Sequence, residues 1–329
     1  MTSGERALVT GASGFIGGAV VRLLLSEGFR VRALARPTSP RDNLPPSCEI
    51  VEGDVCDRDA VRRAMEGVDA LFHLAADYRL WTPDPAALMR VNVEGTEVVM
   101  REALRAGVPR IVHTSSVATL AATSAGPSAE SSRLAPEQAF GAYKLSKILS
   151  QRLVERLVAE EGLPATIVCP STPLGPGDLR PTPTGRIVAE ALRGRVPAYV
   201  DTGLNIVHVD DVAAGHVAAL RHGEIGERYI LGGANLTLQE LLTEISRIAR
   251  RPPPRVKLPY WPLIPLAYAN EFFARLAGTE PFLNRESLRL SATRMFFDDA
   301  KARRALGYRT RPAAEAIADA VRWFSGRGV

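Results

Sequence analysis

The chain has 329 residues, 46% of them hydrophobic and 23% charged. That is the composition of an ordinary globular protein of one large domain or two joined ones, and it excludes a disordered, collagen-like or disulfide-stapled chain. Its 41 basic residues exceed its 36 acidic ones by a formal +5, but the two signs are interleaved, so no nucleic-acid footprint is expected.

Met1 to Arg6 runs straight toward a strand, with no apolar signal region and no small-residue cleavage site, so a cytoplasmic location is expected. The first 170 residues then repeat one theme, a short β-branched run, a turn and an amphipathic helix, which predicts a parallel sheet with helices on both faces. Strands are predicted at Ala7 to Thr10, Arg30 to Ala35, Glu49 to Glu52, Ala70 to His73, Arg110 to Thr114 and Ala165 to Cys169.

Directly after the first strand stands Gly11-Ala12-Ser13-Gly14-Phe15-Ile16-Gly17, opening a helix that contains Val20, Val21, Leu24 and Leu25. Glycines at this spacing permit a tight turn, close approach of backbone to a pyrophosphate and close packing of helix on strand, while the free N–H groups of the helix end attract phosphate. At the end of the second strand, 19 residues after Gly17, an acidic residue would bind the ribose 2′-hydroxyl of NAD; the residue is Arg36. A guanidinium suits a 2′-phosphate, so Arg36, with Arg41 as a possible helper, favours NADP (NADPH), with NAD as the alternative. Asp54 and Val55, past the third strand, are placed to meet the adenine ring. Leu74-Ala75-Ala76 after the fourth strand would let the cofactor pass close to the backbone.

Thr114-Ser115-Ser116 follow the fifth strand at the sheet edge where open α/β folds bind ligands. A long helix is predicted over Phe140 to Glu161, with Leu145, Leu149, Leu153 and Leu157 on one buried face. On it Tyr143 and Lys147 lie four residues apart, hence on one side one turn apart. A phenol has a reference pKa of about 10, and a nearby ammonium together with an oxidised nicotinamide ring would favour the phenolate and lower it toward the range of proton transfer. Ser116 would hold the substrate oxygen beside Tyr143, and Lys147 would also bond the nicotinamide ribose.

Beyond Pro170 the theme breaks. A Pro/Gly-rich segment, Pro170 to Gly185, leads to a helix, a strand near Ile206 to Val209, a helix from Val212 and a strand at Arg228 to Leu231. These last elements are expected to return to the sheet. From Thr237 onward the chain is mainly helical with proline-broken connections. Residues 1–170 with about 205–233 are therefore expected to form the cofactor domain, and about 171–204 with 234–329 a smaller, substrate-binding one. Thr172 to Asn205, with Asp178, Arg186 and Tyr199, is expected to shape the pocket. Tyr260-Trp261-Pro262-Leu263-Ile264-Pro265-Leu266 is expected to be core of the smaller unit. Lys257 to Ala277 as a whole holds Glu271, Arg275 and three prolines, and so is no candidate for a transmembrane segment. Cys48, Cys56 and Cys169 are odd in number and the five histidines are scattered, so neither disulfides nor a metal site are expected.

On these motifs the chain resembles, from end to end, the extended short-chain dehydrogenases/reductases of the NAD-dependent epimerase/dehydratase family, with their Rossmann-type α/β fold. The resemblance makes Tyr143, Lys147 and Ser116 the catalytic residues, and Asn92 in Val91-Asn92-Val93-Glu94-Gly95-Thr96 the structural and proton-relay asparagine. Pro170, Ser171 and Thr172 resemble the segment that meets the nicotinamide, and Thr114 belongs to the same cofactor edge. Val207-His208-Val209-Asp210-Asp211-Val212 resembles the motif beside the substrate, which places His208 there. Met295-Phe296-Phe297-Asp298 and Leu306-Gly307-Tyr308 resemble the family's ending. Within the family the chain is most similar to the dihydroflavonol-4-reductase-like branch and its hopanoid-associated sugar epimerase group, through Ala75-Ala76-Asp77-Tyr78-Arg79-Leu80-Trp81 and Pro181-Thr182-Pro183-Thr184-Gly185-Arg186. This sets Asp77, Tyr78 and Arg186 at the substrate. A small-molecule substrate and a homodimer pairing Pro85 to Ala106 with Phe140 to Glu161 are further implications.

Three reactions are compatible with the fold. A dehydratase would place acidic residues where this chain has Ser115 and Ser116. A sugar-nucleotide epimerase would keep NAD and need cations such as Arg180, Arg186 and Arg193 for a diphosphate. A reductase of the dihydroflavonol type consumes NADPH, which Arg36 fits, and is the favoured expectation. A binding-only protein would ordinarily lack the tyrosine or the lysine, and both are present.

Overall fold

Leu8 and Val9, Leu71 and Phe72, Ile111 and Val112, and Ile167 and Val168 are sequence neighbours that enter two different cores. That alternation is the two-residue period of a strand buried on both faces. In the computed structural model residues 4–123, 126–279, 281 and 283–328 are described. Met1, Thr2 and Ser3, read above as the lead-in to the first strand, lie outside them, as does the side chain of Arg275.

The first half comprises β1 (Arg6–Thr10), α1 (Phe15–Ser26), β2 (Arg30–Ala35), β3 (Glu49–Glu52), α2 (Arg58–Met65), β4 (Ala70–His73) and α3 (Pro85–Met89). A π-helical turn, Arg90–Glu94, then runs into α4 (Gly95–Arg105), followed by β5 (Ile111–Thr114), α5 (Ala142–Glu161) and β6 (Ala165–Pro170). Next come β7 (Thr172–Leu174), α6 (Pro183–Leu192), β8 (Ala198–Val200), β9 (Gly203–His208), α7 (Val209–His222), β10 (Arg228–Leu231) and β11 (Ala234–Thr237). The chain closes with α8 (Leu238–Ile248), β12 (Val256–Leu258), α9 (Leu263–Ala277), α10 (Arg285–Leu290), β13 (Arg294–Met295), α11 (Ala300–Leu306) and α12 (Ala313–Gly326).

Seven strands form one sheet in the order β10-β6-β5-β4-β1-β2-β3, every pair parallel. One face packs Val9, Phe72 and Val168 on Val20 and Leu24 of α1 and on Val212 and Val217 of α7. The other packs Leu8, Leu71 and Ile167 on Val61 of α2, Met100 of α4 and Val154 and Leu157 of α5. The expected doubly wound parallel sheet with its helical layers is present.

Two expectations are corrected. The strand near Ile206 does not return to the large sheet. As β9 it pairs with β11, β13 and β7 in a separate four-stranded sheet, because its partners come from the Pro/Gly segment and the C-terminal third, a non-local choice that local pattern does not encode. The helix after it still packs on α1. On α5 the fully buried residues include Ser146, Lys147, Ser150, Gln151, Val154 and Leu157, while Leu145 and Leu149 are half exposed. Steps of four residues overshoot a 3.6-residue turn by about 40° each, so a leucine row at that spacing winds off the buried face toward the N-terminus.

Leu174, Leu204 and Ile206 of the small sheet form a third core with Val188 and Leu192 of α6, Leu241 and Ile245 of α8, and Ile317 and Phe324 of α12.

Candidate active site

The turn after β1 has no room for side chains. A Cβ on Gly11 (φ +70°) would lie 2.7 Å from the Ala75 nitrogen, and one on Gly17 only 2.1 Å from the Gly11 oxygen. Gly11 thus lets β1 pass against the end of β4, and Gly17 lets α1 pack on its own entry turn. Gly14, the exposed N-cap of α1, has no side chain to satisfy the first helical N–H groups. The loop is braced by Asn43, whose Nδ2 donates to the carbonyls of Ser13 (3.3 Å), Gly14 (3.3 Å) and, far along the chain, Gly177 (2.9 Å). Thr10 Oγ1 adds a second brace, accepting from the Ala75 nitrogen at 3.2 Å.

Around this turn the expected cofactor residues fall at the carboxyl ends of the strands. Arg36 is exposed just past β2, and Arg41 is held by Glu52 at 3.1 Å. Asp54 accepts from the Cys56 nitrogen at 2.9 Å, and Val55 is buried where a Cβ on Gly95 would touch it. Leu74, Ala75 and Ala76 are half-buried, and Ser171, past β6, carries a buried hydroxyl with no partner among the described residues. A dinucleotide fits this edge: the glycine cradle admits backbone-close phosphates, and the orphaned Ser171 hydroxyl awaits a polar group.

Tyr143 and Lys147 lie in the first turns of α5, whose start is set by Gly141 at φ +86°. Lys147 is 5% exposed and its Nζ donates to the Thr114 carbonyl at 2.9 Å. Burial pushes its ammonium down to about 8. Ser116, half-buried past β5, accepts from the Ala118 nitrogen at 3.1 Å and interacts with the Tyr143 phenol. The lowering expected from Lys147 together with an oxidised nicotinamide concerns the cofactor-bound site; by itself the phenol is shifted the other way. Burial raises it, the Ser116 hydroxyl opposes the rise, and the Glu286 carboxyl adds to it, so the phenol is protonated at neutral pH.

The other expected residues separate. Thr114 Oγ1 turns to the far face of the sheet, 3.0 Å from His216 of α7, leaving only its carbonyl at the site. Ser115 is a tether, donating to Gln151 Oε1 at 2.6 Å. Asn92, on the π-helical turn, donates to Ser146 Oγ (2.9 Å) and the Asp77 carbonyl (2.8 Å) and accepts from the Asp77 nitrogen (2.7 Å), fixing the loop that holds Asp77 and Tyr78 against α5. A π-turn at such a residue is a recurrent device. Tyr78 Oη donates to the Arg180 carbonyl at 3.2 Å, joining that loop to the segment before α6, whose first turn carries exposed Arg186. Asp178 there is inward: it accepts from the nitrogen and hydroxyl of Thr182, and burial raises its carboxyl to about 6.

Two further expected substrate residues have partners on the small sheet and its helices. His208 is 1% exposed, caps α7 by accepting from the Asp210 nitrogen at 3.0 Å, and lies 3.2 Å from Asp319 of α12. Tyr199 lines a cavity of about 190 Å³ with Asp201, Thr237, Lys257 and Arg294, built by the small unit alone. The stretch from Tyr260 to Leu266, expected as core, faces outward: Trp261 is 73% and Leu266 56% exposed.

Three contributors were not foreseen. Asn43 offers no periodic signal, because its role depends on a partner 134 residues away. Glu286 comes from α10, and its carboxyl occupies the space left by Gly141, where a Cβ would sit 1.8 Å from Oε2. His73 and His113, on adjacent strands, stack with centroids 5.6 Å apart; burial and then Lys147 push His73 down to about 3, so the pair is neutral beside the lysine.

The model of the NAD dependent epimerase/dehydratase family matches residues 7–232, more than half of the chain. A "Putative dihydroflavonol 4-reductase" from Synechocystis is 42% identical over 327 residues, spanning 97% of this chain and 94% of that one. Sterol demethylase protein B from Methylococcus capsulatus is 36% identical over 330 residues, spanning 98% and 99%. Among solved structures, gox2253 matches with a TM-score of 0.88 at 50% identity, over 98% of this chain and 99% of that one. The chain therefore belongs to the NAD-dependent epimerase/dehydratase family, the extended short-chain dehydrogenases/reductases, and is an NAD(P)-dependent oxidoreductase.

Proposed function

We propose that this protein is an NADPH-consuming carbonyl reductase of the dihydroflavonol-4-reductase type, in which Tyr143 gives the proton. The observation that carries the reading is the meeting of a protonated phenol, Ser116 and buried Lys147 at the carboxyl edge of β5. In the proposed division, residues 1–170 with about 205–233 hold the cofactor, with β9 lent to the small sheet, and about 171–204 with 234–329 bind the substrate.

Bound NADPH supplies a hydride to the carbonyl carbon. Tyr143 donates its phenolic proton to the carbonyl oxygen, which Ser116 holds by a hydrogen bond, so the product is the alcohol. The phenolate left on Tyr143 is favoured by the Lys147 ammonium, which would also hold the nicotinamide ribose, and is reprotonated from water. Asn92 acts by holding Ser146 and the Asp77 loop. Arg36, in place of the carboxylate that bonds a ribose 2′-hydroxyl, supports NADPH; with Arg41 engaged by Glu52, the phosphate contact falls first on Arg36. The outward-facing Tyr260 to Leu266 stretch lends no support. The homodimer through α4 and α5 belongs to the same reading. The epimerase alternative is weakened because Arg193, one of the three arginines offered to a diphosphate, is paired with Glu190 at 2.6 Å.

The test is NADPH oxidation with a panel of ketones. Tyr143→Phe is expected to lower kcat by about 10²–10⁴ while NADPH affinity is kept. Unchanged turnover would remove the tyrosine from the mechanism. A preference for NADH together with interconversion of nucleotide sugars would establish the epimerase instead.

A further inference from the structure

Helix α9 is built inside out. Among its described side chains the residues it buries are Ala267, Glu271 and Ala274, two methyl groups and a carboxylate. Outward, with exposures between 56% and 73%, stand Leu266, Tyr268, Phe272, Phe273 and Leu276, and Trp261 precedes them at 73%. The inward carboxylate is satisfied: Glu271 accepts from the Arg285 backbone nitrogen at 2.6 Å and from its Nε at 2.8 Å, which fastens α9 to α10. The polarity is therefore stable in this orientation, and an amphipathic helix packed with its large apolar side outward is a docking surface.

The charge around it indicates the occupant. Residues 250–295 hold eight Lys and Arg against three Asp and Glu, a formal +5 equal to that of the whole chain. Two of those three acids, Glu271 and Glu286, are buried. Lys257 and Arg294 share Asp201 and Arg285, paired with Glu271, lies 4.8 Å from the centre of the outward Tyr268 ring; Trp261 and Tyr268 are of the type that settles at headgroup level. Among the described residues no helix is long and apolar enough to cross a membrane, so such a helix lies in the plane of the surface.

We propose that α9 and Trp261 dock this protein on the surface of an anionic lipid bilayer, the apolar side entering the headgroup and acyl boundary and the surrounding arginines meeting lipid phosphates. Basic residues near an anionic leaflet are attracted to it, so binding depends on anionic lipid as well as on the apolar face. The proposal is independent of the reductase reading, because docking needs no turnover.

The experiment is co-sedimentation of the full chain with vesicles of phosphatidylcholine alone and of phosphatidylcholine mixed with the anionic lipid phosphatidylglycerol. Binding to the anionic vesicles, weaker binding to the neutral ones and a blue shift of Trp261 fluorescence are expected. Phe272→Glu with Phe273→Glu should weaken the anionic binding at least ten-fold while far-UV circular dichroism and NADPH affinity stay unchanged. A second pair, Leu266→Gln with Leu276→Gln, should act likewise. Absence of vesicle binding overturns the proposal, as do equal binding to both vesicles and indifference to both pairs of substitutions. So does a soluble dimer, split by the same substitutions, that never binds vesicles, because the surface would then be covered by a second copy.

Discussion

Burial moves the titration of two groups near the site toward neutral pH, leaving Lys147 charged and Glu286 protonated at pH 7. Lys147 is pushed down to about 8 by burial. Glu286, 8% exposed, is pushed up to about 8 by burial and by Glu271, with Lys144 opposing; its Oε1 has no partner among the described residues. An unfolded glutamate titrates near about 4.3. Between those two values the unfolded chain releases a proton that the folded chain keeps, so this residue's contribution to stability is intact in acid and is lost as pH rises toward 8. Glu286→Gln should raise the melting temperature more at pH 8 than at pH 5. An equal effect at both pH values would show that the carboxyl is ionised in the folded protein throughout.

The elements that carry the site owe their placement to contacts of very different sequence range. The turn into α1 is local in its glycines but not in its brace, because Asn43 reaches Ser13, Gly14 and Gly177 from one buried side chain. Asn43→Ala leaves those carbonyls unpaired, and a lost hydrogen bond of about 1 kcal/mol corresponds to roughly five-fold weaker NADPH binding, readable by fluorescence titration; unaltered affinity would make Asn43 a bystander. Range also explains what was legible. β2, β3, β4 and β10 have the bounds that β-branched runs and flanking turns predict, and Tyr143, Lys147 and the glycine turn are short-range patterns on single elements. The partners of β9 were illegible, since strand pairing is chosen by distant segments. The outward side of α9 was hidden as well, because its composition matches a buried helix and, among the described side chains, only Ala267, Glu271 and Ala274 mark the narrow face that packs. The role of Gln151 was readable in principle, four residues after Lys147 on the same side of α5, and it accepts from both Ser115 and Thr119.

For the whole molecule, the cofactor edge lies where Asn43 and Tyr78 tie the large sheet's loops to the segment at Gly177 and Arg180. A ligand seated there stabilises both units by mass action, about 2.7 kcal/mol at a hundred times its dissociation constant. NADPH should raise the melting temperature by several degrees and more than equimolar NADH does, with Arg36→Asp reversing the order; a larger shift with NADH in the unmodified protein would reverse the assigned coenzyme preference. The two sheets also differ in when they can be completed. Every strand of the large sheet has been synthesised once residue 231 is joined, whereas the small one takes residues 172–174, 203–208 and 234–237 and then waits for 294–295. On the ribosome the nucleotide-binding half can therefore assemble vectorially, while Gly203–His208 stays short of a neighbour until nearly nine-tenths of the polypeptide has been made.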